Sequence, residues 1–229
     1  MNKLQMQIGD TDRVFFVGDL HGEITKLNSK LEELGFDKEL DTLISVGDLI
    51  DRGEDSLSCL SLIQEPWLKC VRGNHEDLMM NALVNKSENH LACWIQNGAQ
   101  WYFDLNQEDK MYANDLAKMV KSEIPYVIEL HHKGKKVVVC HADYPEDEYT
   151  GNIETESLFD IVWNRSRIEN YHRTGVLSEI KGADLFVFGH TPLRKPLIKG
   201  NCAYLDTGAV FGKELMVLSF DELFDIKEE

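Results

Sequence analysis

The residues equipped for chemistry fall in five short clusters: Gly-Asp-Leu-His-Gly at 18–22, Gly-Asp-Leu-Ile-Asp-Arg-Gly at 47–53, Arg-Gly-Asn-His-Glu at 72–76, Cys-His-Ala-Asp at 140–143 and Gly-His-Thr at 189–191. Asp19, His21, Asp48, Asn74, His141 and His190 together offer three imidazoles, two carboxylates and one amide. Such nitrogen and oxygen donors suit Mn²⁺, Fe or Zn²⁺ and not the thiolate-loving metals. Six donors are enough for two divalent ions if one carboxylate gives an oxygen to each, and Asp48, central in sequence, is the expected bridge. One ion is then held by Asp19, His21 and Asp48, the other by Asp48, Asn74, His141 and His190. Taken alone, the first cluster reads as readily as a turn whose Asp caps a helix, and Gly-His-Thr is weaker still. A single dinuclear site accounts for all five together.

The elements that must position these residues are legible from periodicity. Short β-branched or aromatic runs at 14–18, 42–47, 67–73, 126–130, 136–140, 185–189, 201–206 and 214–220 predict strands. Segments 24–36, 56–63 and 76–84 have the helical period, with Gly35 ending the first and Pro66 stopping the second. Residues 90–122 read as a mostly helical cap, and 143–182 as a polar, partly helical excursion. This alternation is that of an α/β layered domain. Each of the five clusters follows a predicted strand, and in open α/β sheets ligands collect where strands end and helix N-termini point inward. The clusters therefore describe one pocket.

Composition bounds the rest. The 229 residues are 43% hydrophobic, enough for a substantial core, and no linker or repeat divides them, so one domain spanning 1–229 is expected. A net charge of −16 with no basic run excludes nucleic acid as a partner. The N-terminal residues lack the build of a signal peptide, and no run is long and apolar enough to span a membrane, so a soluble cytoplasmic protein is expected. Cys59, Cys70, Cys93, Cys140 and Cys202 are odd in number and scattered, which fits neither a disulfide framework nor a zinc clamp. Without an obvious spare apolar stripe, the chain is expected to be a monomer.

Gly-Asp-Leu-His-Gly, Gly-Asp-Leu-Ile-Asp-Arg-Gly and Arg-Gly-Asn-His-Glu resemble the signature of metallophosphoesterases of the serine/threonine phosphoprotein phosphatase type. The later Cys-His-Ala-Asp-Tyr, Trp-Asn-Arg, Gly-His-Thr-Pro and Asp-Thr-Gly-Ala-Val-Phe segments are similar to the bacteriophage and bacterial branch, and the likeness runs from about Val14 to Val217. The resemblance implies a metallophosphoesterase-type four-layer αββα sandwich with a mostly helical cap or insert, and two metal ions at the strand ends with Asp48 bridging. Ala142 and Asp143 after His141 depart from the eukaryotic pattern, so eukaryotic regulatory subunits are not implied.

The same resemblance implies a mechanism. Two ions about 3.5–4 Å apart lower the pKa of a shared water and present hydroxide in line with phosphorus. Arg52 and Arg72, within the strand-end loops, and Arg165, carried over from the phage-type pattern, are expected to grip phosphate oxygens. His75, beside the ligand Asn74, is expected to protonate the departing seryl or threonyl oxygen, with Asp51 orienting it. Glu76 is read as a helix residue favoured by the N-terminal dipole. The substrates implied are phosphoserine and phosphothreonine in proteins, with phosphotyrosine as a further candidate. The rival, hydrolysis of diadenosine tetraphosphate, is disfavoured because that group typically lacks an acid at the place of Asp51 and has Asp where this chain has Glu76.

Overall fold

The computed structural model describes residues 1–228. Its strands are β1 Lys3–Gln7, β2 Val14–Val17, β3 Thr42–Ser45, β4 Leu68–Cys70, β5 Val127–His132, β6 Lys135–Cys140, β7 Leu185–Phe188, β8 Leu197–Lys199, β9 Cys202–Tyr204 and β10 Val217–Ser219. The helices are α1 Ile24–Glu33, α2 Ser56–Ser61, α3 Asn74–Leu83, α4 Glu88–Gln96, α5 Gln100–Asp104, α6 Gln107–Glu123, α7 Leu158–Trp163, α8 Ser166–Thr174 and α9 Phe220–Glu228.

Two sheets form, one in the order β10-β2-β3-β4 and the other β1-β5-β6-β7-β9-β8. Strand alternation explains why they stack. In β2, Phe15 and Val17 face one apolar cluster while Val14 and Phe16 face another; in β7, Leu185 and Val187 point opposite to Phe186 and Phe188. A strand apolar on both faces must be covered on both faces. The middle cluster joins Val14, Phe16 and Ile44 of the small sheet to Ile128, Val139 and Val187 of the large one, so the sheets pack face to face. The outer face of the small sheet is closed by α1 to α6, whose buried residues include Leu27, Leu31, Met79 and Leu116; α7 and α8 cover the large sheet with Ile161, Val162 and Ile168. Helix, sheet, sheet and helix make the expected four layers.

Helix boundaries follow local chemistry. Asp55, Ser87 and Asn106 accept the N–H of Ser58, His90 and Asp109 at the starts of α2, α4 and α6. Gly35 takes φ 57° just after α1, where a side chain would be strained.

Three elements escape the periodicity. Strand β1 is a polar edge strand, parallel to β5, with only Leu4 and Met6 turned to the middle core. Strand β8 has three residues and pairs antiparallel with β9. Helix α9 begins at Phe220, where the sequence reads as the end of a strand; Phe220 and Leu223 close the middle core instead.

Candidate active site

The five polar clusters meet at one edge of the sandwich and are tied into a ring. The Asp48 carbonyl accepts the N–H groups of Leu20 and His21 at 3.1 and 2.9 Å, linking the first loop to the second. Asp48 Oδ1 accepts the His75 N–H at 3.1 Å, linking the second to the third. His141 Nδ1 lies 2.7 Å from the Val46 carbonyl at the root of the second loop, the Gly189 N–H donates to the His141 carbonyl at 2.7 Å, and the His190 N–H donates to both Asp19 oxygens at 3.1 Å, which closes the circuit. The turns are tight enough to need unusual backbone. His21, Asp48, Asp51, Arg52 and His190 all have positive φ, between 45° and 75°. For non-glycine residues this costs on the order of 1–3 kcal/mol each and persists only where surroundings enforce it. Gly73 is required for another reason, since a Cβ there would collide with Asp48 Oδ1 and with the Asp48 nitrogen.

Two groups of ligand-capable atoms result, each with its members within 4.8 Å of one another: His21, Asp48 and His75, and Asp48, His141 and His190. They share Asp48, the position expected of a bridge. Asn74 joins the second group, its Oδ1 lying 3.0 Å from His141 Nε2. Asp19 is in neither group; its two oxygens share the single His190 N–H, which leaves lone pairs on both for an ion. Asp19 remains close enough for burial, and then the charges of Asp206 and Asp48, to push its carboxyl well above the ordinary range.

The ring tautomers fit metal binding. His21 Nδ1 lies 2.8 Å from the Ile50 carbonyl and His141 Nδ1 2.7 Å from that of Val46, which places the proton on Nδ1 and the lone pair on Nε2. Burial pushes His21 down to about 3 and, with help from His141, His190 down to about 2, so both imidazoles are neutral. The His190 Nε2 is buried without a hydrogen-bond partner, an orphaned donor atom aimed at a site that a divalent ion would satisfy. Burial opposes charge on Asp48, yet His141, His75 and His21 outweigh it and hold that carboxylate well below its usual range. Burial likewise opposes charge on His141 but is outweighed by Asp48, so its proton and a cation compete for one lone pair. The residues present fit a dinuclear centre.

A cleft of about 390 Å³ opens over these groups, walled by Asp48, Asn74, His75, His190, Arg52 and Arg165. The His75 ring spans from the cleft to the interior. Its Nδ1 is 2.5 Å from Asp51 Oδ2, while Nε2 is buried and unpartnered. Burial would lower its pKa, but Asp48 and Asp51 prevail and raise it, favouring imidazolium. Arg165 lies beside the metal-binding loops, its Nη2 3.3 Å from the His190 carbonyl. Arg52 also lines the cleft, with Nη1 2.8 Å from His21 Nε2.

Two sequence expectations are corrected. Arg72 does not line the cleft; it is 3% exposed and turned inward. Its guanidinium donates to the carbonyls of Val120, Lys121 and Ile124 at 2.7, 3.4 and 3.1 Å and to the Tyr126 hydroxyl at 2.9 Å, and it lies over the Tyr126 ring. A buried guanidinium needs several acceptors, and the open carbonyls at the end of α6 supply them with a favourable dipole. Glu76 does more than begin a helix. Its carboxylate accepts three N–H groups, from Asp48 at 2.9 Å, Leu49 at 2.8 Å and Gly73 at 3.0 Å, so it fastens the second loop to the third.

Sequence reasoning also missed three residues. Asp206 is buried near Asp19, with its Oδ1 on the Gly208 N–H. Trp94 and Trp101, expected only to form a cap, both reach Asp51 with their indole N–H groups. Their signal was the placement of two indoles in an otherwise polar stretch.

Comparison with known proteins agrees with this geometry. The calcineurin-like phosphoesterase family matches residues 12–215. Serine/threonine-protein phosphatase 1 of Salmonella typhimurium is 41% identical over 202 residues, covering 88% of this chain and 89% of that protein. Serine/threonine-protein phosphatase 2 of Escherichia coli is 39% identical over 196 residues, covering 86% and 87%. A crystal structure described provisionally as a diadenosine tetraphosphatase superposes with a TM-score of 0.69 at 23% identity, over 96% of this chain and 93% of that one, a likeness of fold. The two-sheet sandwich, the shared Asp48 and the extent of these matches together place the chain in the calcineurin-like phosphoesterase family.

Proposed function

We propose that this chain is a metal-dependent phosphomonoesterase that removes phosphate from phosphoserine and phosphothreonine of proteins, with phosphotyrosine as a further substrate. The observation that carries the reading is the meeting of two metal-binding groups on Asp48 with a buried Asp51–His75 pair at the same cleft wall. The names of the two relatives near 40% identity support the choice of substrate. Two divalent ions, one held by Asp19, His21 and Asp48 and one by Asp48, Asn74, His141 and His190, would supply positive charge for the phosphoryl group and make a water nucleophilic near neutral pH. Mn²⁺ is our choice, although Fe and Zn²⁺ accept the same donors.

The chain's own residues do the rest. Arg165 and Arg52 face the cleft as bidentate donors for phosphoryl oxygens. Arg52 shares the His21 Nε2 lone pair with any incoming cation, so metal binding frees its guanidinium for substrate. His75 holds a proton on Nε2 at the cleft wall and gives it to the departing oxygen. Asp51 holds the other end of the ring. We further read the protein as a single-domain cytoplasmic monomer acting on phosphoproteins or phosphopeptides and not on nucleic acid; among the described residues no helix is long and apolar enough to cross a membrane.

The test is one assay on the Mn²⁺-loaded protein with phosphoserine, phosphothreonine and phosphotyrosine peptides and diadenosine tetraphosphate, with and without chelator. Chelator-sensitive release of phosphate from the first two is expected, and His75→Asn should cut that turnover by about two to four powers of ten while metal content is kept. Preferential cleavage of diadenosine tetraphosphate would replace this reading with the other.

A further inference from the structure

We infer that Trp94 and Trp101 are positioning residues for proton donation: their two indole N–H groups lock the Asp51 carboxylate in the one orientation that aims the His75 ring at the leaving oxygen. The inference rests on the phosphomonoesterase reading above.

Asp51 is fully buried and sits in a strained turn at φ 75°, so its carboxylate must be matched by protein donors or not at all. The matching is complete. Trp101 Nε1 donates to Oδ1 at 2.6 Å, Trp94 Nε1 donates to Oδ1 and Oδ2 at 3.1 and 2.9 Å, and His75 Nδ1 takes Oδ2 at 2.5 Å. Three donors on two oxygens leave the carboxylate no freedom to rotate away from His75. Packing alone does not require this, because a phenylalanine fills a core without bringing a polar atom.

The two indoles come from different helices, α4 and α5, joined by a bend at Gly98. Gly98 has φ 118°, and a Cβ there would stand 3.0 Å from the Arg52 nitrogen and from its Cγ. The bend thus presses the tryptophans onto the loop carrying Asp51 and Arg52. Tyr102 backs both rings, with centroids 5.4 Å from Trp94 and 6.1 Å from Trp101. The helical insert is consequently a brace behind the proton donor.

In the step served, a water oxygen forms the new bond to phosphorus and the P–O bond to the leaving group breaks with its electron pair on the departing oxygen. The Nε2 proton of His75 moves to that oxygen, leaving neutral imidazole, which the proton released by the attacking water restores. The benefit depends on the leaving group. p-Nitrophenolate departs readily as an anion, whereas phenolate needs the proton more and a seryl oxygen needs it most.

The experiment measures kcat and KM of the Mn²⁺-loaded protein along a series of aryl phosphates from p-nitrophenyl to phenyl phosphate, together with a phosphoserine peptide. It compares wild type with Trp101→Phe, and with the same position carrying 3-benzothienylalanine, a tryptophan isostere with sulfur in place of N–H. We expect the loss in kcat to grow as the leaving group worsens, becoming about tenfold larger for phenyl than for p-nitrophenyl phosphate, with KM shifted little. Trp94→Phe should follow the same trend. The isostere preserves shape, so misfolding does not confound it. A loss equal along the series, or no loss, overturns the inference. If wild type cleaves aryl phosphates but not the peptide, the proposed substrate class fails while the series still decides the role of the indoles.

Discussion

Replacing Glu76 by glutamine changes one atom and should disturb two loops. The carboxylate accepts Asp48 and Gly73 N–H groups on Oε2 and the Leu49 N–H on Oε1, in a pocket where Glu76 is 1% exposed. Glutamine can keep the pair on its carbonyl oxygen, but its NH₂ then faces the Leu49 N–H, donor against donor, over a distance now 2.8 Å. A buried donor left unmatched costs about 1–3 kcal/mol, and the opposed donor adds to that, so a loss of about 2–4 kcal/mol is expected. Burial, with the nearby Asp48 charge, pushes Glu76 up to about 7, so part of its charge is already costly and the lower half of that range applies near neutrality. For a chain of this size each kcal/mol lowers Tm by about 2–4 °C, so about 2–3 kcal/mol gives a fall of roughly 4–12 °C. Because the same bonds hold the bridging Asp48 against the loop of Asn74, metal affinity should fall about 10- to 100-fold. Scanning calorimetry and metal content after gel filtration measure both. A Glu76→Gln protein with unchanged Tm and full metal content would show that the three contacts hold nothing.

The inward Arg72 predicts that Arg72→Met lowers stability by about 2–4 kcal/mol, through uncapped carbonyls at the end of α6 and loss of the ion pair with Asp77 at 3.4 Å, while leaving KM for phosphomonoesters within about twofold. Denaturant unfolding and steady-state kinetics check it; a raised KM at unchanged stability would return Arg72 to the substrate. Far from the site, Glu129 accepts from His131 at 2.8 Å and Tyr149 at 2.7 Å and pairs with Lys3. Burial would raise its pKa, but these partners outweigh burial and hold it below 4.5. A carboxylate depressed in the fold stabilises above its unfolded pKa and loses that contribution as pH falls through the folded one. Glu129→Gln should therefore cost about 1 kcal/mol at pH 7 and progressively less below about pH 4.5, read from Tm against pH; a difference independent of pH would contradict the assignment.

What the sequence made legible was whatever a strand period or a donor type can announce. Val14–Val17, Lys135–Cys140 and Leu185–Phe188 are apolar on both faces, and that density alone calls for a layered sandwich. Polar residues directly after such runs identify the rim. The same reasoning misplaced Arg72 because adjacency in a loop says nothing of direction: Arg72 lies two residues before Asn74, yet its guanidinium leaves the cleft for the end of α6. It missed β1 because two apolar residues among Lys3, Gln5 and Gln7 make too short a pattern, and the strand exists by pairing with β5, more than 120 residues away.

The same limit explains the tryptophans and suggests how this centre is stabilised. Every side chain that holds the Asp51 carboxylate is remote from it in sequence: Trp94 is 43 residues away, Trp101 is 50 and His75 is 24. The five left-handed residues of the rim each cost backbone energy. The repayment comes from contacts that close only when the whole sandwich is assembled: Glu76 across to Asp48, Asp19 across to His190, and the indoles across to Asp51. A site built this way cannot form piecemeal, since any one loop alone would relax out of its strained turn. Assembly of the site and assembly of the fold are then one cooperative event, and weakening the brace at Gly98 or Glu76 should loosen the distant metal-binding loops along with the residues it touches.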